Sequence, residues 1–320
     1  PSISVLRTEA DGKFLPELAL ADNSPASALT GPPVFKKSGN LTPKDYFGDG
    51  TFHSINTMQP PFQPSYNPPA PDDSAGLYAT AAEPTTLPVQ TQTTLGDLLN
   101  GKGVAWAWYA GGWNAAVADR TKVYDDASGD FQAHHQPLNY FVSLAPGSEA
   151  RERHLRDGGL GETSATNRFL ADVDSGKLPA VTFYKPQGNL NMHAGYSDVE
   201  AGDRHIANVI HHLRKSAQWK NMLVVVTFDE NGGWWDHVAP PKGDRWGPGS
   251  RIPALVISPY AKRGHVEHTV YDTGSIARFI TRRFKLETLP GLKMRDDAMI
   301  AAGGPAPGDL TETLDFSIEA

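Results

Sequence analysis

Asp229 and Glu230 are adjacent carboxylates at the end of the apolar run Leu223, Val224, Val225 and Val226, followed by Asn231, Gly232 and Gly233 and then by Asp236 and His237. Two acids side by side repel each other and lose hydration unless a positive charge lies between them, and a divalent metal is the usual such charge. The plain alternative is an Asp-Glu pair in a solvated turn. The glycine turn and the acid–imidazole pair that follow it favour a site. Other polar stretches carry imidazole and amine groups. Residues 131–137 read Phe131-Gln132-Ala133-His134-His135-Gln136-Pro137, and residues 185–193 run from Lys185 through Asn189 and Asn191 to His193. Carboxylates, histidines and a lysine brought to one place suit hydrolysis assisted by a metal.

The elements around these stretches decide whether they converge. An apolar run without polar alternation suits a central parallel strand covered on both faces, which is the expectation for 223–226. Gly103 to Tyr109, Leu178 to Tyr184 and Ile252 to Ser258 read as further strands, and Thr94 to Asn100 and Ser164 to Ser175 as helices. Residues 201–216 place Ile206, Val209, Ile210 and Leu213 on one helical face, and Asp272 or Thr273 can cap a helix running to Phe284. The order β-α-β-α-β-β-α predicts an α/β fold with a mostly parallel central sheet and helices on both faces. Ligands of such sheets bind beyond the carboxyl ends of the strands, where each polar stretch begins.

The first 93 residues differ in character. They hold 14 of the 26 prolines and no sustained helical period. Interleaved Phe35, Tyr46, Phe47, Phe52, Phe62, Tyr66 and Tyr78 predict a long extended excursion, 1–93, packed on a catalytic body, 94–320. Zero cysteines exclude disulfides and thiolate chemistry, so any metal is held by oxygen and imidazole. A net charge of -7 with no basic stripe argues against nucleic acid. No apolar run approaches the roughly 20 residues of a membrane span.

Residues 229–241, Asp-Glu-Asn-Gly-Gly-Trp-Trp-Asp-His-Val-Ala-Pro-Pro, resemble the signature of the bacterial phosphoesterase family of non-specific phospholipases C and respiratory-burst-inhibiting acid phosphatases. The stretches 246–253, 258–264 and 268–276 resemble it too, while 105–111 and 185–189 with His193 tilt the likeness toward the acid-phosphatase branch. The resemblance implies an alkaline-phosphatase-like α/β sandwich, one divalent metal, a Ser or Thr nucleophile, and a periplasmic or secreted location. It makes Asp229 and Glu230 metal ligands and His135 and His193 the catalytic histidines that contact substrate phosphate. Family members begin with a strand and a Glu-Asn pair that completes the metal site, and later present the nucleophile in a Gly-Gly-Ser-like turn. Neither is found here, so the chain is expected to be a carboxyl-terminal portion whose nucleophile and first metal ligands lie upstream of Pro1.

The function expected is hydrolysis of a phosphate monoester, with protonated imidazoles acting best at mildly acidic pH. The alternatives are a phospholipase C and an inactive fragment serving as a binding or structural module. Expected partners are a phosphate ester and the missing amino-terminal segment, without nucleic acid or stable membrane insertion. In an extended stretch His134 and His135 point opposite ways, so His134 is placed behind His135 as a supporting group. Asp236 and His237 either orient the acid loop or cap the next segment. His205, His211 and His212 fall on or beside the polar face of a helix, and Trp234 and Trp235 read as packing.

Overall fold

The structure, a computed structural model, describes residues 59–318 apart from 84, 125–130, 233, 235 and 242–247. The 1–58 part of the extended excursion lies outside the described residues, as do Gly233, Trp235, Trp246 and Gly247 of the signature stretches.

Three strands make a parallel sheet in the order β2-β1-β3, with β1 at Trp106–Gly111, β2 at Leu155–Gly159 and β3 at Val181–Lys185. Side chains of a strand alternate between faces, and β1 does so visibly. Trp106 and Ala110 enter one core cluster with Leu99, Trp113, Ala116 and Ile280. Ala107 and Tyr109 enter the other with Phe169, Leu170, Val173 and Leu213. The first face is therefore covered by α1 (Leu95–Gly101), α2 (Trp113–Ala118) and α6 (Gly274–Phe284). The second is covered by α4 (Arg168–Asp174) and α5 (Val199–Lys215). This is an α/β fold with helices on both faces of a parallel sheet, in line with the alkaline-phosphatase-like architecture.

Local sequence sets the helix starts. Thr94 and Asp97 form a reciprocal capping box at α1, Asn167 accepts from Leu170 N at α4, and Asp198 accepts from Ala201 N at α5. Two further helices, α3 (Glu149–His154) and α7 (Pro290–Ala301), complete the set named here. His205 corrects the sequence reading: it is 1% exposed, on the inner side of α5, with Nε2 2.8 Å from the Tyr184 hydroxyl. His212 pairs with Asp174 at 2.6 Å.

The apolar run at 223–226 also differs from expectation. It forms β4 (Val224–Thr227), but pairs antiparallel with β5 (Ala254–Ile257) and is half-buried along its length. A run lacking polar alternation reports apolar surroundings and leaves the direction of the neighbouring strand open. Asp229 lies two residues beyond β4, Lys185 is the last residue of β3, and their ion pair at 3.0 Å places both carboxyl ends at one edge.

Residues 59–93 lie against the body. Phe62 and Leu87 are buried, Asn139 Nδ2 donates to the Phe62 carbonyl at 3.0 Å, and Arg151 Nη2 donates to the Gln63 carbonyl at 2.7 Å. No helix among the described residues is long and apolar enough to cross a membrane.

Candidate active site

Lys185 and Asp229 pair at 3.0 Å beyond the carboxyl ends of β3 and β4, and the Lys185 charge bears on His134 and His135. Burial pushes the Asp229 carboxyl up, but the charge and hydrogen bond of Lys185 outweigh it, and the acid is held below its ordinary value. The positive group beside Asp229 is thus an ammonium supplied by the end of β3. Glu230 engages its own loop: its Oε2 accepts from Gly232 N at 2.5 Å, closing a tight turn around a glycine at φ +65°.

His134 and His135 do not sit in extended chain. Residues Ala133–His135 form a single 3-10 turn, and the two rings stand edge to face with centroids 4.8 Å apart. His135 is 4% exposed, and its carbonyl accepts from Trp108 Nε1 at 2.7 Å. His134 is the less buried of the two, and its Nδ1 lies 3.2 Å from the Tyr124 hydroxyl. Burial pulls the His134 imidazole down to about 4, and the Lys185 charge adds to that. Burial likewise holds His135 well below the imidazole range. Both rings are therefore neutral at mildly acidic pH, and the protonated-imidazole expectation does not hold for them.

His193 comes from the loop after β3. Its backbone N–H donates to Asn191 Oδ1 at 2.8 Å, its Nδ1 lies 2.7 Å from the Ala194 carbonyl, and its ring stacks on Tyr196 at 4.7 Å. Tyr196 is held in turn by Asn191 Nδ2 at 2.8 Å and by a hydrogen bond from Gln132 Nε2. Because Gln132 belongs to the stretch before His134, this contact ties the two histidine loops together. Charges at Lys185 and His193 bear on both His134 and His135, and Asp229 bears on His134, so the five residues share one locality.

Asp236 and His237 belong to a neighbouring arrangement. Arg251 donates to Asp236 through Nε at 2.8 Å and Nη2 at 2.9 Å, and this fork holds the carboxyl far below its usual range. Asp236 also accepts from Val238 N at 3.1 Å, so it pins the 229–251 loop and caps the turn after it. His237 Nδ1 is 3.7 Å from Asp236 and largely exposed. Trp234, expected to pack, is 74% exposed.

A divalent ion takes about six oxygen ligands. Asp229 and Glu230 offer two carboxylates of the right chemistry, but among the described residues no three His, Cys, Asp or Glu side chains gather around one point. The pair offers two carboxylates to such an ion and no more than that.

Sequence reasoning missed Tyr124, Tyr196, Gln132 and Gln59, and gave Lys185 no partner. Lys185 was findable by the rule that located Asp229, since it too ends a strand. Tyr124 carried no local signal, because its partners lie 10 and 65 residues away along the chain.

Residues 37–287 match the family described as the Phosphoesterase family, and the chain belongs to that family. It is 27% identical to phospholipase C B of Mycobacterium tuberculosis over 262 residues, which cover 73% of this chain and 46% of that protein. The non-hemolytic phospholipase C of Pseudomonas aeruginosa is 28% identical over 259 residues, 71% of this chain and 33% of that one. The non-specific phospholipase C1 of Arabidopsis thaliana is 34% identical over 153 residues, 38% of this chain and 28% of that protein. The chain spans less than half the length of these relatives.

Proposed function

We propose that this chain carries the substrate-facing part of a phosphoric ester hydrolase of the acid-phosphatase type. The observation that supports this reading is the Lys185–Asp229 pair at the ends of β3 and β4, within electrostatic reach of His134, with Lys185 and His193 also bearing on His135. A phosphate monoester is anionic and repels a hydroxyl nucleophile, so catalysis needs positive charge and hydrogen-bond donors on the non-bridging oxygens. Lys185 supplies charge there, and Asp229 holds its ammonium in place. His134 and His135, neutral, donate hydrogen bonds without the cost of keeping a charge buried. The carbonyl beside His193 Nδ1 can only accept, so that nitrogen carries the neutral ring's proton and Nε2 is a lone pair, able to take the proton of the attacking hydroxyl and then return it to the leaving alkoxide. Asp229 and Glu230 are assigned as two ligands of one divalent ion, which when bound adds positive charge at the phosphoryl group. The attacking hydroxyl is that of a Ser or Thr, as the resemblance implies.

A phospholipase C is the second reading, favoured by the names of the relatives. Tyr196 and Trp234, exposed on the loops that carry His193 and Glu230, and Val199, exposed at the start of α5, would suit a lipid. The test is hydrolysis of p-nitrophenyl phosphate and of phosphatidylcholine by the purified protein. His193→Ala and Lys185→Met should each lower kcat/KM for the monoester on the order of 100-fold. Near-normal turnover in both variants overturns the site, and preference for the lipid selects the second reading.

A further inference from the structure

The hydrogen bonds behind His134 run in one direction. Gln59 Oε1 accepts from Tyr66 N at 3.0 Å, which fixes the amide so that its nitrogen, Nε2, is the end that approaches the Tyr124 hydroxyl at 3.5 Å. A phenolic oxygen approached by that donor has its own proton to give, and the His134 Nδ1 at 3.2 Å is placed to receive it. A neutral imidazole carries one proton, and a ring that accepts at Nδ1 must carry it on Nε2. We infer that Tyr124 is a positioning residue that holds His134 as the Nε2–H tautomer, a neutral hydrogen-bond donor turned to the site.

Two independent observations support this. Burial keeps the Tyr124 phenol protonated and the His134 ring uncharged, so the hydroxyl remains a donor and Nδ1 remains a lone pair. Tyr124 also occupies φ +60°, a left-handed conformation that bulky side chains rarely adopt. The surroundings impose it: Tyr124 N donates to the Phe131 carbonyl at 3.1 Å, and its ring meets Tyr66 edge-on at 5.7 Å. His193 has the opposite arrangement, with its proton committed at Nδ1 to a carbonyl. One histidine is therefore set to give a hydrogen bond and the other to exchange a proton, a division of labour that the ring identities alone do not contain.

The consequence for turnover rests on the phosphoesterase reading, whereas the tautomer does not. The test is ¹⁵N NMR of protein labelled at histidine nitrogen, with His134 assigned by loss of its signals in His134→Asn. The unmodified protein should show His134 as the Nε2–H tautomer between pH 6 and 8. Tyr124→Phe keeps the ring packing and removes only the hydroxyl; it should give a mixture of tautomers. It should also lower kcat about tenfold on p-nitrophenyl phosphate with KM little changed. An Nδ1–H or charged His134 in the unmodified protein overturns the inference, and that spectrum decides even if Tyr124→Phe fails to fold. An unchanged tautomer in a folded Tyr124→Phe overturns it equally. Should neither protein hydrolyse a phosphate ester while the tautomer shifts as stated, the positioning role stands and the functional reading falls.

Discussion

Replacing Arg151 with Met should cost about 3 to 4 kcal/mol of stability, because one buried guanidinium fastens the extended segment to the body. Its Nη1 donates to Asn139 Oδ1 at 2.7 Å and to the Leu144 carbonyl at 3.1 Å, and its Nη2 donates to the Gln63 carbonyl at 2.7 Å. Each hydrogen bond to a charged group contributes about 1.5 to 3 kcal/mol, and the bonds are not additive because they share one side chain. Its carbon also lies 5.1 Å above the Trp113 ring, where methionine recovers part of the packing. What methionine cannot recover is pairing for Asn139 and two carbonyls, and each buried neutral acceptor left unpaired costs about 1 to 3 kcal/mol. Burial lowers the Arg151 pKa only to about 10, so the group is charged throughout pH 5 to 8 and the penalty should be flat across that range. Urea unfolding at pH 5 and pH 8 measures it. Arg151→Lys keeps the charge but offers one nitrogen where two now reach three acceptors, and should fall between. A loss below about 1 kcal/mol in Arg151→Met would refute the assignment of Arg151 as the fastening point.

Stability should fall on acidification through the histidines. The folded-state value of His134 is depressed to about 4 from an ordinary 6.5, and that of His135 is depressed as well, so below about pH 6.5 the unfolded chain binds protons that the folded chain refuses. For His134 the loss is complete near pH 4 and has a ceiling of about 3 kcal/mol; His134→Asn should flatten the pH dependence of the urea midpoint by part of that amount, and an unchanged slope would count against the buried neutral ring. Gly111→Ala should destabilise by about 2 kcal/mol or more and abolish turnover with it, since a Cβ there would meet the Gln187 backbone nitrogen at 2.2 Å and drive the loop carrying His193 off the end of β1. A Gly111→Ala protein with an unchanged midpoint would show that the two backbones separate freely.

The parts of the fold that could be read from sequence were those whose signal is local and periodic. The faces of β1 and α5, the caps at Thr94 and the acid pair after β4 each announce themselves within a dozen residues. β2 did not, because Leu155-Arg156-Asp157-Gly158-Gly159 has the composition of a turn, and among the described residues only β1 pairs with it. Pairing direction for β4 was equally hidden, since an apolar run says what touches its side chains and nothing about which backbone lies beside it. The site divides along the same line. Residue types at strand ends located Asp229, His193 and the His134–His135 pair, because chemistry concentrates where strands stop. What each of them does depends on partners that no spacing encodes: a lysine from the end of β3, a carbonyl one residue on, and a tyrosine whose amide neighbour, Gln59, belongs to the proline-rich segment. That last dependence gives the segment a chemical consequence as well as a structural one. If Arg151 fastens residues around Gln63 and Gln59 orients Tyr124, then loosening the segment at Arg151 should disturb the His134 tautomer from a distance, and Arg151→Met should show mixed His134 signals in the same NMR experiment that reads Tyr124→Phe. A single, unshifted tautomer in Arg151→Met would mean that Tyr124 is held by its own strained turn and by Phe131, and that the segment serves stability alone.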